Sequence, residues 1–391
     1  LADDPGREGV AFAAARMLSR GTANRTADEI HTEVEGLGAN LSTRSGNNTF
    51  YVQAGGLSED WRTLLELVAD VVVHPTFPAD QWAKMKPRLL ATIDREGDSW
   101  SGELQQRLRK AVFEDHPWSQ TSTGRRDVVA GLKAKDLATF YRQRLAADQA
   151  VLAVFGDVNP DEVVREARRL FKSMPAEADV KFDPPPRGPI ERTVEAHLTD
   201  KPLAAAAIAY GPGLKRSDPD YPAVQVLTRV LSSFPSGWLE QALRGEGPGL
   251  AYAVGAYPFA GVVPGYVGVL FNSQSPVVLQ GLARSREVIE RARSQPVKSE
   301  TLQRARAAVL GRELLSQQTN SQRATMFALD VLYGLGLDAS EDFVQRVHDL
   351  TPDDLLRVAR RYLDEPVTVI ISDQRLDDAA VVEAAGGSGS E

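Results

Sequence analysis

GVAFAAARMLSRGT, residues Gly9 to Thr22, reads as a helix written mainly in small side chains. Gly9 and Gly21 bracket it, alanines fill its middle, and Val10, Phe12, Met17 and Leu18 supply the bulk. Alanine is the strongest helix former and lets neighbouring backbone come close. None of the side chains in this stretch is an imidazole, a thiolate or a carboxylate, the donors that zinc takes. By itself the stretch reads as a buried helix.

Outward from it, the chain alternates helices and strands. Thr26-Ala-Asp-Glu29 is a capping box that opens a helix ending near Gly36-Leu-Gly38. Ala39–Thr43 and Asn48–Ala54 read as two strands around the turn residues Ser45-Gly-Asn-Asn48. A helix from Ser58 stops at His74-Pro75, and another runs from Ala79 towards Asp98, where Pro87 predicts a kink or a split. Past the loop His116–Gly124, a helix covers Asp136–Leu145, a strand Ala150–Phe155, and a helix Pro160–Phe171. The segment 172–190, with Pro184-Pro-Pro186 and Gly188, is proline-rich, charged and poor in large apolar residues, as linkers are.

The order then repeats. Strands are predicted at Thr193–Leu198, Leu203–Tyr210, Ala251–Tyr257, Gly265–Phe271 and Val367–Ile371, with helices between them. The repeat is visible in residues. Leu132–Leu145, followed by a strand ending at Asp157, parallels Leu350–Leu363 and a strand ending at Asp373. Asp136 matches Asp354, Leu137 matches Leu355, and Leu145 matches Leu363. The expected fold class is α+β, with two homologous halves, each an antiparallel sheet packed with helices, joined by the proline-rich linker. The expected divisions are 1–171 for the first half, 172–190 for the linker, 191–380 for the second half and 381–391 for a flexible tail.

Composition narrows function by exclusion. The 391 residues are 42% hydrophobic and 25% charged, with net charge −8 and Lys and Arg dispersed among Asp and Glu. That lacks the basic stripe of a nucleic-acid binder. There is no cysteine, hence no disulfide, thiolate metal site or cysteine nucleophile. No apolar run approaches the ~20 residues that cross a bilayer. The five histidines, His31, His74, His116, His197 and His348, are too far apart to pair on one helix. Neither a Gly-x-Ser-x-Gly elbow nor a phosphate-binding loop is present. As a standalone enzyme the chain reads as inert.

The order and spacing of these pieces resemble the insulinase/pitrilysin/mitochondrial processing peptidase family of zinc metallopeptidases. That family carries an inverted zinc motif, His-x-x-Glu-His, in a frame that Gly9, Ala11, Met17, Leu18, Gly21 and Thr22 match here. Phe12 stands for the first His, Ala15 for the catalytic Glu and Arg16 for the second His. Thr92, in Ala91-Thr-Ile-Asp94, stands in the region of the third ligand. The resemblance extends through Arg25–Ile30, Glu35–Asn40, His116-Pro117, Gly124, Asp136–Leu145 and Val151…Asp157, and places the family's first strands upstream of Gly9.

The resemblance implies a zinc-less unit that pairs with a zinc-bearing homologous unit, as a separate subunit or within one longer chain, around a peptide-binding chamber. It implies no metal in this chain and zinc on the partner. In the family, the zinc-less unit lends an Arg and a Tyr to the shared site from a motif like Leu-Arg-Glu-x-x-Gly-Leu-Ala-Tyr. Leu243-Arg-Gly-Glu-Gly-Pro-Gly-Leu-Ala-Tyr252 matches it with a gap one residue longer, and assigns Arg244 and Tyr252 as catalytic in trans. Read without the resemblance, Arg244 is a solvated arginine at a helix end and Tyr252 a strand residue. The alternative is a purely structural or peptide-binding unit. The absence of cysteine leans towards a bacterial extracytoplasmic compartment.

Overall fold

The computed structural model describes residues 3, 6–180, 190–211, 213–245 and 249–386. The chain forms two compact units. Unit 1 gathers Leu1–Glu96, Gln120–Pro184 and Ser316–Gly334; unit 2 gathers Gly97–Ser119, Pro185–Leu315 and Leu335–Glu391. Elements are numbered in chain order.

Unit 1 contains α1 (Val10–Met17), α2 (Ala27–Gly36), β1 (Asn40–Ser45), β2 (Phe50–Gly55), α3 (Trp61–Val73) and α4 (Ala79–Asp98, in this unit to Glu96). It also holds α6 (Arg126–Gly131), α7 (Ala134–Arg144), α8 (Pro160–Leu170) and α13 (Asn320–Leu332). β1 and β2 form an antiparallel hairpin, with Asn40 opposite Gly55 and Ser45 opposite Phe50. α1 packs against this hairpin and α7. Its alanines explain the fit: Ala13, Ala14 and Ala15 have no exposed surface, and Ala13 and Ala14 share a core with Leu18, Val71 and Phe140. The α1 entrance needs glycine twice. Gly9 has φ +96° and Gly124 φ +81°, and a Cβ on Gly124 would lie 2.3 Å from Glu8 O. The Asp3 carboxylate caps α1, accepting from the amides of Gly9 (2.6 Å) and Ala11 (2.9 Å). Burial pushes the Asp3 carboxyl above its ordinary pKa, partly offset by these two amides.

Two expectations are corrected here. The split at Pro87 does not occur: α4 is one helix through it. One missing amide is tolerated in a helix of this length because Trp82, Met85 and Leu89 anchor it to the core on both sides of the proline. Residues 150–155, expected as a strand, are not one: Val151–Phe155 make no backbone hydrogen bond among the described residues. A strand exists only through a pairing partner. Val151, Leu152 and Val154 are accordingly left exposed.

Unit 2 is built on a five-stranded sheet of β3 (Thr193–Leu198), β4 (Ala204–Gly211), β5 (Ala253–Phe259), β6 (Tyr266–Ser273) and β7 (Asp364–Ser372). The order is β3-β7-β4-β6-β5, antiparallel except for the parallel pair β3–β7. Its helices are α5 (Trp100–Phe113), α9 (Tyr221–Leu231), α10 (Trp238–Arg244), α11 (Val278–Ser294), α12 (Ser299–Leu315), α14 (Ala339–Asp349), α15 (Pro352–Tyr362) and α16 (Asp378–Ala384). Side chains alternate across a strand. On β4, Ala204, Ala206, Ile208 and Tyr210 enter the main core with Val224, Leu227 and Leu282. Ala205, Ala207 and Ala209 point to the other face, and this row of methyls leaves room for α5 to pack on β4 and β7.

The units do not follow the two sequence halves. α5 groups with unit 2 because Leu104 and Leu108 bury on its sheet and Phe113 meets Phe259 and Tyr266. α13 groups with unit 1, where Gln53 donates to Thr325 Oγ1 (3.2 Å) and Phe327 meets Phe155. Of the expected linker, residues 181–189 lie outside the described residues, as do 387–391 of the expected tail. The earlier part of that tail is structured: α16 is capped by Asp377, which accepts from Ala380 N (2.9 Å), and buries Val381 and Ala384.

Candidate functional site

At the frame of the inverted zinc motif, the side chains have turned to other work. Ala15 is wholly buried and Phe12 nearly so, while Arg16 is exposed with its guanidinium 5.4 Å from the centre of the Phe12 ring. Thr92, on α4, donates to Arg88 O (3.0 Å) one helical turn back and accepts from Arg95 (3.3 Å). A methyl, a phenyl, a guanidinium and a hydroxyl are not zinc donors, so these residues do not fit the metal. Among the described residues no cluster of three or more His, Cys, Asp or Glu is arranged to hold one.

The frame around these positions is nonetheless tightly built. Gly21 has φ +144°, and a Cβ on it would lie 2.9 Å from Pro78. Asp70, on α3 and 5% exposed, accepts from Thr22 Oγ1 (2.7 Å), Asn24 Nδ2 (2.7 Å) and Arg25 (2.9 Å). Arg25 also grips Glu33 of α2 (2.7 and 3.3 Å). These carboxylates, Glu33 first, hold the guanidinium above its ordinary pKa.

Arg244 and Tyr252 are both in unit 2 and both at its surface. Arg244 ends α10, whose Trp238, Leu239 and Leu243 are buried. Leu243 O accepts from Ala251 N (3.1 Å), which brings the end of α10 beside the chain entering β5. Residues 246–248, between them, lie outside the described residues. Asn272 of β6 then fixes the backbone twice: its carbonyl accepts from Tyr252 N (3.0 Å) and its Oδ1 from Ala253 N (2.8 Å). Tyr252 is 61% exposed, and its hydroxyl accepts from Gln274 Nε2 (2.8 Å), which leaves the phenolic proton to donate elsewhere. The Arg244 guanidinium lies 5.2 Å from the centre of the Phe234 ring and has no ion-pair partner among the described residues.

Sequence reasoning missed three neighbours. Gln274 aims the phenol. Phe234 underlies the arginine. Glu240, 5% exposed on α10, accepts from Ser232 Oγ (3.0 Å) and Ser233 N (3.3 Å), and so fixes the turn that carries Phe234. The one available signal was Phe234 itself, an aromatic set in Ser232-Ser-Phe-Pro-Ser-Gly237, a run otherwise made of turn residues.

Residues 1–124 match the family described as insulinase, peptidase family M16, and residues 131–309 match the one described as the peptidase M16 inactive domain. The chain belongs to the insulinase family. An uncharacterized zinc protease of Rickettsia bellii (strain RML369-C) is 23% identical, covering 94% of this chain and 88% of the relative. The cytochrome b-c1 complex subunit 1 of Bos taurus is 28% identical over 58% of this chain and 47% of that protein. Among solved structures, the peptidase M16 inactive domain from Pseudomonas fluorescens superimposes with TM-score 0.85 at 20% identity, covering 96% and 91% of the two chains. The family model that matches residues 131–309 is the one described as the inactive domain, and the motif frame on α1 has no zinc donor at Phe12, Ala15 or Arg16. No helix among its described residues is long and apolar enough to cross a membrane.

Proposed function

We propose that this chain is the zinc-less unit of an insulinase-family peptidase, pairing with a zinc-bearing homologous unit and lending Arg244 and Tyr252 to peptide hydrolysis at that unit's centre. The observation that carries the reading is a contrast within one chain. The ligand positions are buried or donor-free, while two strong hydrogen-bond donors in the family's second-half motif stand exposed on fixed backbone.

A metal held by the partner unit would supply the activated water. This chain's part is to meet the charge that then develops. Attack on a peptide carbonyl turns its oxygen into an oxyanion, and donors already aimed at that oxygen lower the barrier. Arg244 offers permanent charge and planar N–H donors. Tyr252 offers a phenolic O–H whose oxygen is already engaged by Gln274. Removing one such donor costs on the order of a hundredfold in rate. Arg244→Ala and Tyr252→Ala in the reconstituted pair are expected to lower turnover by about that factor while pairing is intact. The chain purified alone neither retains zinc nor cleaves peptides on this reading; stoichiometric zinc lost on mutating its own residues overturns it.

A second reading is favoured by the likeness to the bovine cytochrome b-c1 complex subunit 1: a structural or peptide-binding unit without a catalytic contribution. Unchanged turnover in both single variants, with the pair still assembled, selects it.

A further inference from the structure

We propose that Phe234 is a positioning residue that shelves the Arg244 guanidinium, keeping the charge over its ring at the end of α10 where it can meet a peptide carbonyl. The proposal rests on the reading of Arg244 given above and adds a residue to it. Phe234 is 74% exposed, so its ring is open at the surface of unit 2. Among the described residues its one ring contact to a charged group is with Arg244, at 5.2 Å, within the range of an attractive cation–π pair.

The shelf is built from below. Glu240 and Arg244 lie one turn apart on α10. The buried Glu240 carboxylate takes the Ser232 hydroxyl and the Ser233 amide, and Gly237 N closes the turn onto Ser233 O (2.6 Å). A Cβ on Gly237 would sit 2.4 Å from Ser233 N, so the turn has no slack there. One helix therefore carries both the carboxylate that aims the ring and the guanidinium that rests on it. A cation–π contact spends none of the guanidinium's hydrogen-bond donors, so they stay available to a ligand. A long side chain that otherwise samples many rotamers is ordered before any ligand arrives, the condition under which a donor stabilises a transition state without reorganising.

The test uses the full chain and its reconstituted pair, with F234A, F234L and F234W. On the chain alone, the Arg244 Nε–Hε cross-peak, identified by its absence in R244K, is expected upfield under the ring current. It returns to the ordinary arginine position in F234A and F234L and stays shifted in F234W; thermal melting is unchanged. In the pair, with a fluorescence-quenched peptide pool as substrate, F234A is expected to lower kcat about tenfold at constant KM, as a displaced catalytic group does. F234W restores it, and F234A/R244A is no slower than R244A. Wild-type turnover in F234A beside a slow R244A overturns the proposal, and so does an Arg244 resonance that ignores F234A. If R244A itself turns over normally, the catalytic reading fails, and the resonance alone decides whether Phe234 is the shelf.

Discussion

Asp70→Ala removes the one acceptor on which the segment after α1 converges. In the protein, Thr22, Asn24 and Arg25 all donate to this carboxylate at 2.7–2.9 Å, on a residue 5% exposed. Breaking a buried ion pair by deleting one partner costs about 3–5 kcal/mol, because the other charge stays behind uncompensated. Here Arg25 is 23% exposed and keeps Glu33, which places the expected loss at the low end, about 3 kcal/mol. Asp70→Asn keeps the shape but turns one acceptor into a donor facing either Asn24 or Arg25, and about half of that loss is expected. Urea unfolding followed by circular dichroism gives the total. Hydrogen exchange at Thr22 N, which donates to Arg25 O (2.8 Å), locates it. A double-mutant cycle with Thr22→Val isolates the hydroxyl's share. The reasoning is refuted if Asp70→Ala lies within about 1 kcal/mol of wild type, the range of ordinary surface changes.

Gly124→Ala forces a Cβ to within 2.3 Å of Glu8 O at φ +81°, and a loss above about 2 kcal/mol is expected in the same denaturation assay, with tolerance refuting the contact. Val151–Phe155, with no backbone partner among the described residues, should exchange amide protons as fast as unstructured chain while β7 is protected; mass-spectrometric exchange compares the two peptides. Thr351 caps α15, accepting from Asp354 N (3.2 Å), and its hydroxyl donates to the Asp354 carboxylate (2.6 Å); that hydroxyl leads the groups holding the carboxyl below its ordinary pKa, against partial burial. A depressed carboxylate contributes stability above its unfolded pKa of about 3.9 and loses it as pH falls through the folded value. Thr351→Ala should therefore cost about 1 kcal/mol at pH 7, a gap that narrows in acid, checked by urea midpoints across pH.

Local rules made the regular elements legible. The Thr26–Glu29 box forms as its spacing requires, with Glu29 N donating to Thr26 Oγ1 (3.2 Å) and Thr26 N to Glu29 Oε2 (2.8 Å). α5 was not legible. Its buried Leu104, Leu108 and Val112 recur every four residues, but Gln105, Gln106, Arg107, Arg109 and Lys110 dilute the stripe. The repeat meets a deeper limit. α7 and α15 are each eleven residues long, and in each the third-position Asp accepts from the backbone amide at the cap, Lys133 N (2.8 Å) or Thr351 N (2.9 Å). The apolar runs after the two helices diverge: β7 is paired on both sides by β3 and β4, while Val151–Phe155 is paired on neither among the described residues. Two similar runs have different outcomes because a strand is a property of its neighbours. The surface residues have the same limit: the turn run around Phe234 hints that its ring is exposed, but not that Arg244 lies over it.

The zinc-motif frame shows why a site can lose its chemistry and keep its outline. Gly9, Gly21 and Thr22 match the family, and each has a structural task that no metal performs. Gly9 and Gly21 occupy left-handed backbone under steric contact, and Thr22 hangs from Asp70. Replacing any of them disturbs a core that also holds Leu18 and Val71. Phe12, Ala15 and Arg16 carry no such constraint beyond size and polarity. A carboxylate at Ala15, which has no exposed surface, would need a compensating cation or proton, so without a metal a methyl is the more stable occupant. Substitution at the ligand positions therefore costs this helix less than substitution in the frame. A helix that looks like a damaged active site is, in energetic terms, an intact packing element. Arg244 is its inverse, an exposed charge at the end of α10 that the fold neither buries nor pairs among the described residues and that is therefore open to a ligand.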